Sequence, residues 1–190
     1  YDALGRLIRV KKPDGSEETF GYDRMGNRVA QGPASARKRL TYGRMNELLS
    51  DGPVTYRYDA DGQPVARSDG FAYEFDALGR LTGVKATGKV IRYEYDPFGR
   101  LIAREINGRK TEYLYDKEDI LAEYEGTTLQ ARYVHGPGID EPLSFWRDGK
   151  LNVLLSGLNG TVRRVYGADG RHVEEYELSP FGEIEQPASV

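Results

Sequence analysis

Hydrophobic and polar residues alternate with a period of two along short runs of this 190-residue chain, and Gly, Asp or Asn breaks each run. Aromatic-x-aromatic steps recur at Tyr56/Tyr58, Tyr73/Phe75, Tyr93/Tyr95 and Tyr113/Tyr115. Side chains two apart share a strand face, so each step predicts a strand with two aromatics on one side. The Asp-x-x-Gly that follows predicts a turn, with Asp bonding its own backbone and Gly taking positive φ. Return turns are predicted at Asp14-Gly15, Asp51-Gly52, Asp61-Gly62, Asp69-Gly70, Asn107-Gly108, Asp148-Gly149, Asn159-Gly160 and Asp169-Gly170, because such pairs between alternating residues are a strong hairpin signal. Arg100–Ile106, Asn107-Gly108 and Arg109–Tyr115 form the cleanest hairpin. Only Arg39–Leu49 and Asp116–Glu125 could be argued helical, and both fall in phase with the repeating pattern.

That pattern is an internal repeat, aromatic-Asp-x-x-Gly-(Arg/Asn)-apolar. Full copies are Tyr1-Asp2-Ala3-Leu4-Gly5-Arg6-Leu7, Phe75-Asp76-Ala77-Leu78-Gly79-Arg80-Leu81 and Tyr95-Asp96-Pro97-Phe98-Gly99-Arg100-Leu101. Tyr22-Asp23-Arg24-Met25-Gly26-Asn27 recurs with Asn in the Arg place, and Tyr58-Asp59-Ala60-Asp61-Gly62-Gln63 is weaker. The units at Tyr42 and Tyr115 are degenerate, the second keeping Tyr115-Asp116. Their starts lie at 1, 22, 42, 58, 75, 95 and 115. One hairpin of this size cannot bury its aromatic face, whereas stacked hairpins can, and sheets twist. The predicted fold is therefore all-β, with tandem antiparallel β-hairpins in a continuous twisted, spiralling sheet. The motif residues Tyr, Asp, Gly and Arg are expected to carry architecture.

These motifs resemble the YD-repeat family, also called Rhs repeats, over nearly the whole chain. Tyr133-Val134-His135-Gly136-Pro137-Gly138-Ile139-Asp140-Glu141-Pro142-Leu143 is similar to the segment that ends many bacterial Rhs arrays, with Tyr133, Gly136, Pro137, Asp140 and Pro142 as its markers. Drifted counterparts of later family elements follow at Ser156–Thr161, Asp169-Gly170 and Leu178–Glu183. The resemblance implies a spiral of strands wrapped into a hollow shell, which in bacterial members encloses a toxin and in animal teneurins supports adhesion. It divides the chain into tandem YD repeats, 1–132, and an Rhs-type C-terminal repeat segment, 133–190, continuous with the same sheet. Many bacterial members carry a self-cleaving Asp-Pro-x-Gly-Leu. Asp96-Pro97-Phe98-Gly99-Arg100-Leu101 has an extra residue before Leu and reads as an ordinary repeat turn.

Composition narrows the remaining chemistry. Lys+Arg is 27 against Asp+Glu 30, a formal net charge of -3, which argues against a dedicated nucleic-acid binder. Cysteine is absent, excluding a disulfide scaffold and a thiolate metal site. No apolar run reaches the roughly 18 residues of a membrane-spanning helix. The two histidines, His135 and His172, have no partner at metal-ligand spacing. No Gly-x-Ser-x-Gly elbow is present. Asp51, Asp59, Asp61 and Asp69 do not follow EF-hand spacing and read as separate turn residues. Arg37-Lys38-Arg39 reads as a solvated loop, and the Asn159-Gly160-Thr161 sequon as turn chemistry.

The expectation is a non-enzymatic structural segment with no cofactor and no metal, from an exported bacterial protein acting outside the cell or at its surface. Its partners would be the rest of an Rhs-like polypeptide or an enclosed cargo such as a toxin. Opening on Tyr1 in mid-repeat, the chain reads as a fragment or processed product, and unpaired strand edges would permit a homo-multimer or filament. The competing expectation is a glycan- or receptor-binding module, using Tyr133 and Trp146 as exposed aromatics.

Overall fold

Each strand is a short alternating run, and each break is a turn residue. The computed structural model describes residues 1–12, 14–138 and 140–185. Ile139 of the Rhs-type segment and residues 186–190 of the second expected division therefore lie outside the described residues. Those described form strands and turns only, with no helix. The chain divides into two compact units, Tyr1–Val90 and Ile91–Val190.

The first unit carries β1 (Arg9–Lys11), β2 (Glu17–Tyr22), β3 (Arg28–Gly32), β4 (Lys38–Tyr42), β5 (Leu48–Asp51), β6 (Val54–Tyr58), β7 (Pro64–Arg67), β8 (Ala72–Phe75) and β9 (Leu81–Ala86). The second carries β10 (Lys89–Tyr95), β11 (Leu101–Ile106), β12 (Arg109–Asp116), β13 (Asp119–Glu125), β14 (Thr128–His135), β15 (Pro142–Arg147), β16 (Lys150–Ser156), β17 (Val162–Gly167) and β18 (His172–Glu175). Within each unit every strand pairs antiparallel with the next in sequence. The all-β tandem-hairpin architecture is the one expected. Both segments for which a helix could be argued are strand and turn, since their apolar residues repeat in phase with the hairpins. The basic run at Arg37–Arg39, expected as a loop, enters β4 instead, where Lys38 pairs with Asp51 at 2.7 Å.

Two turn geometries recur. At Asp2, Asp23, Asp59, Asp76 and Asp96 a five-residue loop closes through two backbone bonds. In the first of these, Asp2 N–H donates to the Arg6 carbonyl at 2.9 Å and Gly5 N–H to the Asp2 carbonyl at 3.0 Å. Asp61-Gly62, Asp69-Gly70, Asn159-Gly160 and Asp169-Gly170 belong to loops of this kind. They are not the two-residue return turns their sequences suggested, because only Gly takes positive φ there. Asn107-Gly108, at φ 50° and 86°, and Asp148-Gly149, at 52° and 73°, are two-residue turns, the paired positive φ that matches strand twist.

The repeat turns that join two strands also shift the ladder by one residue. Tyr95 pairs with Leu101 while Glu94 pairs with Ala103, so Ile102 is extra. Tyr22/Arg28, Tyr42/Leu48, Tyr58/Pro64 and Phe75/Leu81 repeat this bulge. The buried apolar residues are few, among them Phe20, Leu40 and Val84 in the first unit and Ala103, Ala122, Ala131 and Val165 in the second.

Gly99 tests the turn logic. A Cβ there would meet nothing within 4 Å, but its φ is +90°. Gly99→Ala should therefore destabilise by about 1–3 kcal/mol through backbone strain alone, measured by denaturant unfolding. An unchanged midpoint would contradict the assignment.

Candidate functional site

The residues singled out by the repeat converge on each turn. The Asp2 carboxylate accepts the backbone N–H groups of Leu4 at 3.0 Å and Arg6 at 2.9 Å, and its other oxygen accepts Arg6 Nε at 2.7 Å. Asp76 with Arg80 and Asp96 with Arg100 reproduce these three bonds. At Asp23 the Asn27 side-chain amide replaces the guanidinium, and Asp59 keeps only the two backbone bonds. The backbone N–H of Arg6 is the main influence holding Asp2 below its ordinary 3.8, and that of Arg80 acts likewise on Asp76. At Asp23 the Asn27 amide leads. At Asp96 partial desolvation pushes upward most strongly, but the combined bonds from Arg100 and Phe98 outweigh it.

The aromatic of one repeat completes the turn before it. Tyr22 donates its hydroxyl to the Leu7 carbonyl at 2.8 Å, Tyr42 to Arg28 at 3.2 Å, Tyr58 to Leu48 at 2.9 Å and Tyr115 to Leu101 at 2.9 Å. Each acceptor is the residue six places after the preceding repeat's aromatic. The ladder to the next repeat begins two residues further on, at Arg9, Ala30, Ser50 and Ala103. The hydroxyl thus satisfies a carbonyl that the ladder leaves unused. The motif Arg covers the same ring: Arg6 lies 4.9 Å from the Tyr22 centroid and Arg100 5.1 Å from that of Tyr115. Arg6 Nη1 also donates to the Asp23 carbonyl at 3.1 Å. Phe75, lacking a hydroxyl, can make no such bond.

Two carboxylates that the motif did not flag take the Asp role. In the degenerate Tyr42 unit, Gly43 stands in the Asp position, and a Cβ on it would lie 2.0 Å from Glu47 Oε1. Glu47 folds back into that space and accepts the Met45 N–H at 2.8 Å. Glu141 enters the corresponding space at Gly136 and accepts the Gly138 N–H at 3.0 Å. Gly where Asp is expected, followed by Glu at the end of the loop, is the sequence signal. Ser179 substitutes a hydroxyl that accepts from Glu183 N–H at 3.0 Å. Asp116 departs from the motif role: it pairs with Asp119 across a two-residue turn and lies in β12 rather than in a five-residue loop.

Tyr133, expected to be exposed, is half-buried. Its hydroxyl donates to Glu123 Oε1 at 2.6 Å and accepts from Arg147 Nη2 at 2.9 Å. Desolvation foremost, then the Glu123 bond, pushes the phenol up to about 12. The reason is its place in the sheet, opposite Phe145, whose ring lies 6.1 Å away. Trp146 is 38% exposed, with Arg132 5.3 Å from its ring. In the Rhs-type segment His135 pairs with Pro142, while Pro137 and Asp140 lie in the exposed connection between β14 and β15. The four clustered aspartates do different work: Asp51 pairs with Lys38, Asp69 with Arg67, and Asp59 caps a turn that contains Asp61. Among the described residues no three His, Asp or Glu side chains form a metal-sized group. Asp96-Pro97 lies within a repeat turn.

Tandem hairpins whose turns are capped by their own Asp and closed by the next aromatic define a YD-repeat shell domain. The chain belongs to the teneurin YD-shell family, whose model matches residues 1–189. Solved structures share the fold. The TcdB2-TccC3 crystal structure aligns with TM-score 0.65 and 16% identity over 92% of this chain and 10% of that one. The same assembly without its hypervariable C-terminal region gives 0.65 and 15%, over 92% and 10%. TcdB2-TccC3-TEV gives 0.52 and 15%, over 94% and 12%. The chain thus spans about a tenth of the length of the structures it matches. No curated protein matches it.

The capped aspartates predict the acid response. Asp2, Asp23, Asp76 and Asp96 are lowered in the folded state, so their contribution is complete above the ordinary value of 3.8 and is lost as pH falls through the lowered one. Denaturant midpoints should be flat near neutrality and drop below about pH 4. Asp96→Asn should lower the neutral-pH midpoint and weaken the acid dependence. An identical acid profile in the variant would contradict the capping role.

Proposed function

We propose that the chain is a structural segment of a YD-repeat shell, from an exported bacterial protein that acts in secreted form or at the cell surface and encloses or presents a cargo such as a toxin. The observation that carries this reading is the expenditure of the motif residues on turn capping and repeat-to-repeat closure. On this reading the chain is not an enzyme, and its partners are the remainder of an Rhs-like polypeptide and its cargo. Membership of a shell family supports this. So do exposed apolar turn residues: Leu4 is 77% exposed, Met45 87% and Phe98 86%. Large apolar side chains this exposed point to surfaces covered by other protein. Among the described residues no helix is long and apolar enough to cross a membrane. The division into repeats, 1–132, and Rhs-type segment, 133–190, is part of this proposal; β14 runs through the junction, which favours continuity.

Two variants accompany it. Unpaired strand edges would let copies join into a multimer or filament by strand addition. A glycan- or receptor-binding module is favoured only by the exposed Trp146, since Tyr133 is engaged with Glu123 and Arg147.

Electron microscopy of the pure chain at two concentrations, with a glycan array alongside, separates these readings. The shell reading expects discrete particles with a curved wall, unchanged on dilution, and no glycan hits. Regular fibres that lengthen with concentration would transfer the role to the strand edges. Specific glycan hits lost in Trp146→Ala would overturn the structural reading.

A further inference from the structure

The chain has no cysteine, and its two sulfur atoms belong to Met25 and Met45. Both residues hold the fourth position of a repeat turn, where other copies carry Leu4, Leu78 or Phe98. Their turns join β2 to β3 and β4 to β5. Each of these strands runs antiparallel to the next, so both turns lie on one edge of the first unit. The Asn27 side-chain amide donates to Asn46 Oδ1 at 2.5 Å and ties the two turns together. Arg6 Nη1 donates to the Asp23 carbonyl at 3.1 Å and brings the Leu4 turn alongside. The edge thus presents a row of apolar tips, with Leu4 77% exposed, Met25 80% and Met45 87%.

At both methionines the backbone serves the fold and the side chain stands in solvent. The Asp23 carboxylate accepts the Met25 N–H at 2.9 Å, and that of Glu47 accepts the Met45 N–H at 2.8 Å. Oxidation of a thioether follows its exposure, and it turns a flexible apolar side chain into a polar one. We infer that Met25 and Met45 form a paired, reversible oxidation site that switches this edge from apolar to polar while the capped turns stay folded. The oxidant is a peroxide. With hydrogen peroxide, a sulfur lone pair attacks one oxygen, the O–O bond breaks, the S–O bond forms and the second oxygen leaves as water. Sulfur gives up two electrons and the peroxide takes them. Return requires a methionine sulfoxide reductase, one for each sulfoxide epimer. There a dithiol closes to a disulfide as the oxygen leaves as water, and the chain has no thiol of its own to supply these electrons. Leu4 has no sulfur, so the change is confined to the two methionine tips. The chemistry does not rest on the shell reading. A protein covering this edge would shield both sulfurs, and prior oxidation would remove two of its apolar contacts.

The test exposes the full chain to millimolar hydrogen peroxide and follows intact mass, peptide-mapped mass, the unfolding midpoint and retention on an apolar chromatography resin. Uptake should stop at two oxygen atoms, one on each methionine, at rates within about threefold of a blocked methionine in solution. The oxidised chain should keep its midpoint and lose retention. Sulfoxide reductases of both stereochemistries, with dithiothreitol, should restore that retention. The double variant Met25→Leu, Met45→Leu keeps apolar tips and should take up no oxygen, with retention indifferent to peroxide. The mass trace of the wild-type chain needs no variant to fold. Oxidation more than about tenfold slower than that of blocked methionine would overturn the site. So would a lowered midpoint after oxidation, unchanged retention, or peroxide-sensitive retention in the folded double variant.

Discussion

The repeat depends on one unsatisfied carbonyl. The turns after Tyr22, Tyr42 and Tyr95 end in a bulge, and the residue six places after the aromatic lies outside the ladder to the next repeat. A buried or half-buried carbonyl without a donor is costly. The next repeat's tyrosine hydroxyl supplies that donor at Leu7, Arg28, Leu48 and Leu101. The aromatic therefore serves two repeats at once: it opens its own turn and closes the one before.

The other motif residues follow from that arrangement. Asp must be first in the loop because its carboxylate reaches two N–H groups along the turn and, with Arg present, a guanidinium. Arg must end the loop because from there it meets both the carboxylate and the next ring, as Arg6 and Arg100 do. Exposed ion pairs contribute little alone; here the pair fixes a guanidinium over an aromatic face. Sequential closure also explains how sheets with so few buried side chains hold together. Each hairpin is fastened to its neighbour at the turn end by polar bonds, and to both neighbours by the ladder.

Much of this was legible in the sequence. Alternation and the aromatic-Asp-x-x-Gly step located the strands, and the Asn107-Gly108 hairpin lies where its residues place it. The distinction between five-residue and two-residue turns was not legible from Asp-Gly pairs, because both geometries use Gly at positive φ. What decides between them is where the strand ends: Arg67, Gly157 and Gly167 open five-residue loops without an Asp in first place, whereas β15 runs to Arg147, directly before Asp148-Gly149. Glu47 and Glu141 were hidden for a related reason: a carboxylate can reach the same space from the far end of the loop once Gly clears it. The environment of Tyr133 was also out of reach, because Glu123 and Arg147 approach it from two different strands. The acceptor role of the sixth residue involves a backbone carbonyl, which leaves no trace in residue identity.

Removing single hydroxyls tests the closure most directly. Tyr22→Phe, Tyr42→Phe, Tyr58→Phe and Tyr115→Phe each delete the donor while keeping the ring, whereas Tyr56→Phe, on the strand of Tyr58, and Tyr93→Phe, on β10, delete hydroxyls that make no such bond. Equilibrium unfolding should show losses of about 1 kcal/mol for each of the first four, and changes within about 0.5 kcal/mol for the two controls. Equal effects in both groups, or none in either, would contradict the closure of each turn by the tyrosine of the next repeat.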